Sequence, residues 1–149
     1  MERTVESLEQ ELKTEHDLHL RALADFDNYR RRVNREREEI GKEALRDFLR
    51  SLLDVVDDLE RLLAFVRDET SPVIDAARAV HRKLMDLLAK EGVHPVDSVG
   101  QPFDPAFHEV VATAPAGEKD IVPLVAQEVR RGYTWDGKLL RTAQVVVAA

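Results

Sequence analysis

The sequence predicts an α+β protein in which a long N-terminal helix pairs in a parallel dimer, a short second helix completes a four-helix bundle, and a small C-terminal all-β domain follows. Three observations carry this expectation. About 65 residues from Glu2 to Arg67 contain no proline and one glycine, a stretch far longer than an ordinary globular helix. An eleven-residue apolar repeat runs from Ala22 to Val66. From Gly92 onward the chain holds five of its six prolines, five of its six glycines and short β-branched runs separated by turns. The expected domains are therefore 1–92, for dimerisation and bundle, and 93–149, a compact β domain.

The long helix comes first. At roughly 1.5 Å per residue it would reach about 100 Å, too long to cover its own apolar stripe, so a second chain must do so. Positions 22, 26, 29, 33, 37, 40, 44, 48, 51, 55, 59, 62 and 66 are apolar or aromatic at 11 of 13, broken only by Arg37 and Ser51, whereas a heptad in the same starting register scores 6 of 13. A period of eleven gives about 3.67 residues per turn and little supercoiling. A shifted heptad from Leu45 to Val66 fits the last third as well, leaving handedness there open. The expected dimer seam comprises Phe26, Tyr29, Val33, Ile40, Phe48, Val55, Leu59, Leu62 and Val66.

The stripe widens where Leu53, Val56 and Leu63 join it, and one partner helix cannot cover so broad a face. A second helix is expected to dock there. Ser71 suits its N-cap, Pro72 its first position and Gly92 the residue past its end, with Val73, Ala76, Ala77, Val80, Leu84, Leu87 and Leu88 along one face. Two such hairpins make a four-helix bundle. In the last part, strands are expected over Val93–Asp97, His108–Thr113, part of Ile121–Arg131 and Leu139–Val147. Asp136-Gly137 between strand-like flanks is a strong hairpin signal.

Composition narrows the function. The 149 residues lack cysteine and carry a formal charge of −7, which removes disulfides, thiolate metal sites and cysteine nucleophiles and disfavours nucleic acid or an anionic membrane as partner of the whole chain. No secretory signal and no apolar run near 18 residues is present, so a cytoplasmic location away from membranes is expected. The charge is banded: Met1–Tyr29 has 3 basic and 8 acidic residues, Arg30–Arg50 has 8 and 5, and Ser51–Thr70 has 2 and 6.

Phe26-Asp27-Asn28-Tyr29-Arg30-Arg31-Arg32, Leu52-Leu53 with Val55, Asp57-Asp58-Leu59-Glu60-Arg61, Gly92-Val93, Phe103-Asp104-Pro105, His108-Glu109-Val110-Val111, Gly132-Tyr133, Gly137, Leu140-Arg141 and Ala143 are dispersed from Ala22 to the C-terminus. In order and spacing they resemble the GrpE-type nucleotide exchange factors, cochaperones of DnaK-type heat-shock chaperones. The resemblance implies a parallel homodimer whose β domain and adjoining rod grip the chaperone's ATPase domain and hold its cleft open for ADP release. It implies no cofactor, no direct nucleotide binding and no chemistry. It further implies partner contacts at Arg30, Arg31, Val129, Lys138 and Val147, and a hinge at Gly92 between bundle and β domain. Lys138 stands where the family usually has arginine, keeping the charge without the bidentate fork. Asp54 replaces a common proline and Arg130 a frequent glutamine, and the acidic tail that often precedes the rod is nearly absent.

Read without the resemblance, the Arg30–Arg37 basic belt also admits a dimeric helical scaffold or a nucleic-acid-binding rod. Glu36, Glu38 and Glu39 follow at once and Phe26, Tyr29 and Val33 keep the seam apolar, which favours a solvated or partner-facing surface over nucleic acid. His16 and His19 could share a metal but have no third ligand placed beside them. His108-Glu109 begins like a zinc-protease helix, yet position 112 is Ala and Pro105 indicates a turn, so no metal and no enzyme is expected. Trp135 fits either a partial core or an exposed contact. The rod, with one partner stripe and Gly41 inside it, is expected to melt first, a possible thermosensor.

Overall fold

The computed structural model describes residues 4–115 and 123–148. The order of elements is helix α1 (Val5–Phe65), helix α2 (Pro72–Lys90), then strands β1 (Val93–Pro95), β2 (His108–Ala114), β3 (Leu124–Arg130), β4 (Tyr133–Trp135), β5 (Lys138–Arg141) and β6 (Ala143–Ala148). The expected α+β class is observed, with the long helix, the short helix and the small β part in that order. The chain divides into two compact units, Met1–Leu45 and Arg46–Ala149.

Apart from Thr4, the described part of the first unit is residues 5–45 of α1. None of its described apolar side chains is fully buried: Phe26, Tyr29 and Ile40 are more than half exposed, and Val33 is half-buried. Local ion pairs at one-turn spacing steady the surface, Asp27 with Arg31 at 2.7 Å and with Arg30 at 3.6 Å, and Arg32 with Glu36 at 3.7 Å. Pairs of this kind contribute about 0.3–0.5 kcal/mol each.

In the second unit the α1 residues divide by face. Leu49, Leu53 and Val56 are buried with Leu88 of α2, Val93 of β1, Tyr133 of β4 and Leu140 of β5, flanked by Leu52, Leu84, Met85 and Trp135. Phe48, Val55 and Leu62, seven apart, stay exposed, as do Val73, Val80 and Leu87 of α2, also seven apart. Leu59 and Val66 are half-buried. The widened stripe thus has one side filled within the chain and another left open.

Helix α2 begins as the sequence indicates. Ser71 is extended at its cap and its Oγ accepts from the Ile74 amide at 3.2 Å, with Pro72 in the first turn. Beyond the C-terminal end, Gly92 takes φ +82°, the left-handed region that glycine enters without a Cβ penalty. α1 has no basic residue in its last turn. The turn that follows it is held from α2 instead: Arg78 Nη2 donates to the carbonyls of Arg67 at 3.1 Å, Glu69 at 3.3 Å and Val66 at 3.5 Å.

Two three-stranded sheets follow, β1-β4-β5 and β2-β6-β3. The Asp136-Gly137 hairpin forms as expected, with φ +49° and +77° in its two-residue loop and Trp135 opposite Lys138. The single strand expected over Leu139–Val147 is instead two. β5 pairs with β4 in the first sheet, while β6 runs parallel to β2 and antiparallel to β3 in the second. The switch sits at Ala143, fully buried, whose amide donates to the Phe107 carbonyl at 2.9 Å rather than to the β4 partner of β5. The first strand ends at Pro95 rather than Asp97, and the second runs one residue further, to Ala114. The third strand begins at Leu124, so the expected start at Ile121 and Val122 lies outside the described residues. The second core comprises Val125, Ala143, Val145 and Val147 with Phe103 packed against it.

Candidate functional site

The residues expected to meet a partner occupy differently built places. Lys138 opens β5 directly after the hairpin loop and is exposed. Its hairpin is braced on both sides. The Asp136 amide donates to the Gly92 carbonyl at 3.0 Å, joining the loop to the end of α2. From α1, Arg46 Nη1 donates to the Leu139 carbonyl at 3.1 Å and Arg50 Nε to the Leu140 carbonyl at 3.0 Å. The Arg46 guanidinium also lies 5.7 Å from the centroid of Trp135, a cation–π contact. Trp135 is accordingly a half-buried member of the core edge.

Val129 owes its exposure to a bulge. The β3 register with β6 slips between Glu128 and Arg130, and the bulged Val129 turns outward, 58% exposed. Bulges redirect side chains in this way. Val147 differs: it is 4% exposed and sits in the second core, so its side chain offers a partner almost no surface. Arg30 and Arg31 are exposed on α1 and both pair with Asp27.

Flanking Val129, the α1 row Asp54, Asp57, Glu60 meets the arginines of the strands. Arg141 Nη2 and Nη1 donate to Asp57 Oδ1 at 2.6 Å and Oδ2 at 2.8 Å, and Arg130 Nε donates to Asp57 Oδ2 at 2.9 Å. Arg130 also pairs with Asp54. Arg131 reaches Glu60 at 3.3 Å, and the same Glu60 oxygen lies 3.0 Å from His81 Nε2 on α2. The hydrogen bond to Asp57 is the main reason the Arg130 pKa is raised. Burial pulls the Arg131 pKa down, but Glu60, Tyr133 and Glu128 outweigh it and the net shift is upward. Tyr133 is pushed up to about 12, first by burial and then by the Glu60 charge. A cleft of about 410 Å³ lies here, lined by Asp57, Glu60, Val129, Arg130, Arg131 and Gln144 among others.

This acidic-to-basic network is the part that reading along the chain did not reveal. Its one signal was the spacing of Asp54, Asp57 and Glu60, three apart beside the apolar face. Asp54 and Arg130, two apparent departures from the resembled family, turn out to be partners of each other. Among the described residues no cluster of three or more His, Cys, Asp or Glu side chains is placed to hold a metal ion. No helix among them is long and apolar enough to cross a membrane.

Comparison with known sequences agrees along the chain's length. A sequence model of the GrpE family matches residues 1–149. The protein named Protein GrpE from Parabacteroides distasonis is 39% identical over 145 residues, covering 96% of this chain and 75% of the relative. Protein GrpE from Synechococcus sp. (strain JA-2-3B'a(2-13)) is 38% identical over 154 residues, covering 100% of this chain and 64% of its own length. That from Haemophilus ducreyi is 36% identical over 142 residues, covering 92% and 71%.

Proposed function

The chain belongs to the GrpE family, and on that premise we propose that it is a non-enzymatic nucleotide exchange factor, which binds the ATPase domain of a DnaK-type chaperone, holds its cleft open and accelerates ADP release. The family match over residues 1–149 carries this reading. The mechanism requires only differential affinity: the factor binds the open arrangement of the chaperone's lobes more tightly than the closed one, about tenfold in population for each 1.4 kcal/mol. By linkage, bound ADP weakens the factor's grip by the same ratio. The contacts are Lys138 and Val129 on the β part, with Arg30 and Arg31 on α1. Val147 contributes through the sheet it packs rather than through its own surface.

The working form in this reading is a cytoplasmic homodimer without cofactor. The seam residues exposed on the single chain, Phe26, Tyr29, Ile40, Phe48, Val55 and Leu62, support in-register pairing of two α1 helices. The open seven-residue rows on α1 and α2 support the four-helix bundle. Residues 1–92 dimerise and 93–149 meet the chaperone. Among the described residues, none up to Leu45 belongs to a buried apolar core, so this segment unfolds at lower temperature than the rest, which makes the rod a thermosensor. The pairing of Arg30 and Arg31 with Asp27 further weakens the case for nucleic acid.

Release of labelled ADP from a DnaK-type chaperone, with and without this protein, tests the proposal. Acceleration that saturates with factor is expected, and its absence at saturating factor would refute the reading. Sedimentation of the mixture with the ATPase domain, with and without ADP, reports dimer, ratio and linkage together. For the thermosensor, far-ultraviolet circular dichroism should show helix loss before the sheet unfolds; loss of both in one step would contradict it.

A further inference from the structure

The two sheets are held to α1 by different forces. The first sheet shares a core with Leu49, Leu53 and Val56 of α1. The buried core of the second sheet, Val125, Ala143, Val145 and Val147 with Phe103, includes no α1 residue among those described. Strand β3, which carries Val129, therefore meets α1 chiefly through Arg130, with Arg131 just beyond its end. Apolar contact is non-directional, whereas a carboxylate gripped by guanidinium forks fixes angle as well as distance.

One carboxylate joins both sheets. Asp57, its side chain 14% exposed, accepts two hydrogen bonds from Arg141 at the end of β5 and one from Arg130 at the end of β3. Arg141, 10% exposed, also donates from Nε at 3.1 Å and Nη2 at 2.8 Å to the Arg131 carbonyl, where the chain crosses from one sheet to the other. Its guanidinium stacks 5.4 Å from the Tyr133 ring centroid. Asp57 is thus the meeting point of helix, first sheet and second sheet.

We propose that Asp57 is a positioning residue: it fixes β3 and β5 against α1 so that Val129 and Lys138 are presented to the chaperone as one preformed surface. This rests on the exchange-factor reading above for its consequence, though not for its geometry. When the carboxylate is neutralised, the helix–sheet core persists but β3 is released from its fixed angle, and only a fraction of molecules presents the surface. Apparent affinity falls in proportion to that fraction, while the complex, once formed, works as before.

Asp57→Asn keeps the shape and removes the charge; Asp57→Glu keeps the charge. The chain has no cysteine, so Asp58→Cys and Gln127→Cys place spin labels on exposed positions of α1 and β3, diluted with unlabelled chain to isolate intrachain pairs. The expected result is a single narrow distance in the Asp57 parent, a broadened one in Asp57→Asn and a narrow one in Asp57→Glu. In ADP release, Asp57→Asn should raise the half-saturating concentration about tenfold with the maximal rate unchanged, and Asp57→Glu should stay within about twofold. A distribution for Asp57→Asn that superimposes on its parent overturns the proposal, as does an unchanged half-saturation or a reduced maximal rate. If the wild-type chain itself fails to accelerate release, the functional reading falls and the distances still decide the positioning. Should Asp57→Asn fail to fold, Arg130→Gln, at a side chain 37% exposed, cuts the β3 arm alone. It must then broaden the same distance and raise the half-saturation, or the proposal fails.

Discussion

Gly132 should be hard to replace because its Cβ would meet backbone, and alanine there should cost about 2–4 kcal/mol. The residue joins β3 to β4, and its carbonyl accepts from the Val96 amide at 2.9 Å. A Cβ on it would lie 2.6 Å from the amide nitrogen of Ala143, 2.9 Å from its Cβ and 3.0 Å from its Cα. These atoms have no rotamer to turn away into. Ala143 is fully buried and its amide is engaged with Phe107 at 2.9 Å, so relief means moving the start of β6. Overpacking of this kind costs about 1–3 kcal/mol, and stretching the hydrogen bond adds about 1 kcal/mol. Two other glycines supply controls of different sign. Gly137→Ala meets no atom within 4 Å but must hold φ +77°, a cost of about 1–2 kcal/mol. Gly41→Ala, inside α1 with nothing within 4 Å, should stabilise by about 0.5–1 kcal/mol, seen as a higher helix melting midpoint. Urea unfolding followed by Trp135 fluorescence at one fixed protein concentration gives the values for the first two. A Gly132→Ala protein within 0.5 kcal/mol of wild type, or less damaged than Gly137→Ala, would refute the clash as the controlling term.

The raised pKa of Tyr133 sets a high-pH signature. An unfolded phenol ionises near 10 while the buried one holds its proton to about 12. Between these values the folded chain binds more protons than the unfolded, so stability falls as pH rises through that window, by about 3 kcal/mol at most; below pH 10 the contribution is fully present. Unfolding free energies at pH 9 to 12 should show this fall in wild type and lack it in Tyr133→Phe, and parallel curves would contradict the assignment. Arg78→Ala, by stripping the carbonyls of Val66, Arg67 and Glu69 of their donor, should cost about 1–2 kcal/mol. The measurement is denaturant unfolding beside Arg78→Lys, which keeps the charge and should recover part of the loss. Ser71→Ala removes the acceptor for the Ile74 amide and should cost about 1 kcal/mol; an unchanged midpoint would show that water replaces it.

Much of this architecture is local and was therefore readable along the chain. The proline-free run with its apolar repeat specified α1, Ser71-Pro72 specified the start of α2, and Asp136-Gly137 specified the hairpin, because caps and turns depend on a few neighbouring residues. The position of Gly92 past α2 was readable for the same reason. The burial of Val147 in the second core was not, since an apolar residue in an alternating strand looks the same from either face until the sheet's packing is known.

Tertiary structure alone decided three things. It split Leu139–Val147 between two sheets, because buried Ala143 against Gly132 and the Phe107 carbonyl outweighed strand continuity. It turned Val129 outward through a bulge that no residue type announces. It brought Asp57 to Arg130 and Arg141, 73 and 84 residues away in sequence. The first layer of this protein was written by periodicity and turn chemistry, which act over one or two turns of chain. The second depends on side chains from distant segments meeting in a desolvated place, where register and directional ion pairing take over from local preference.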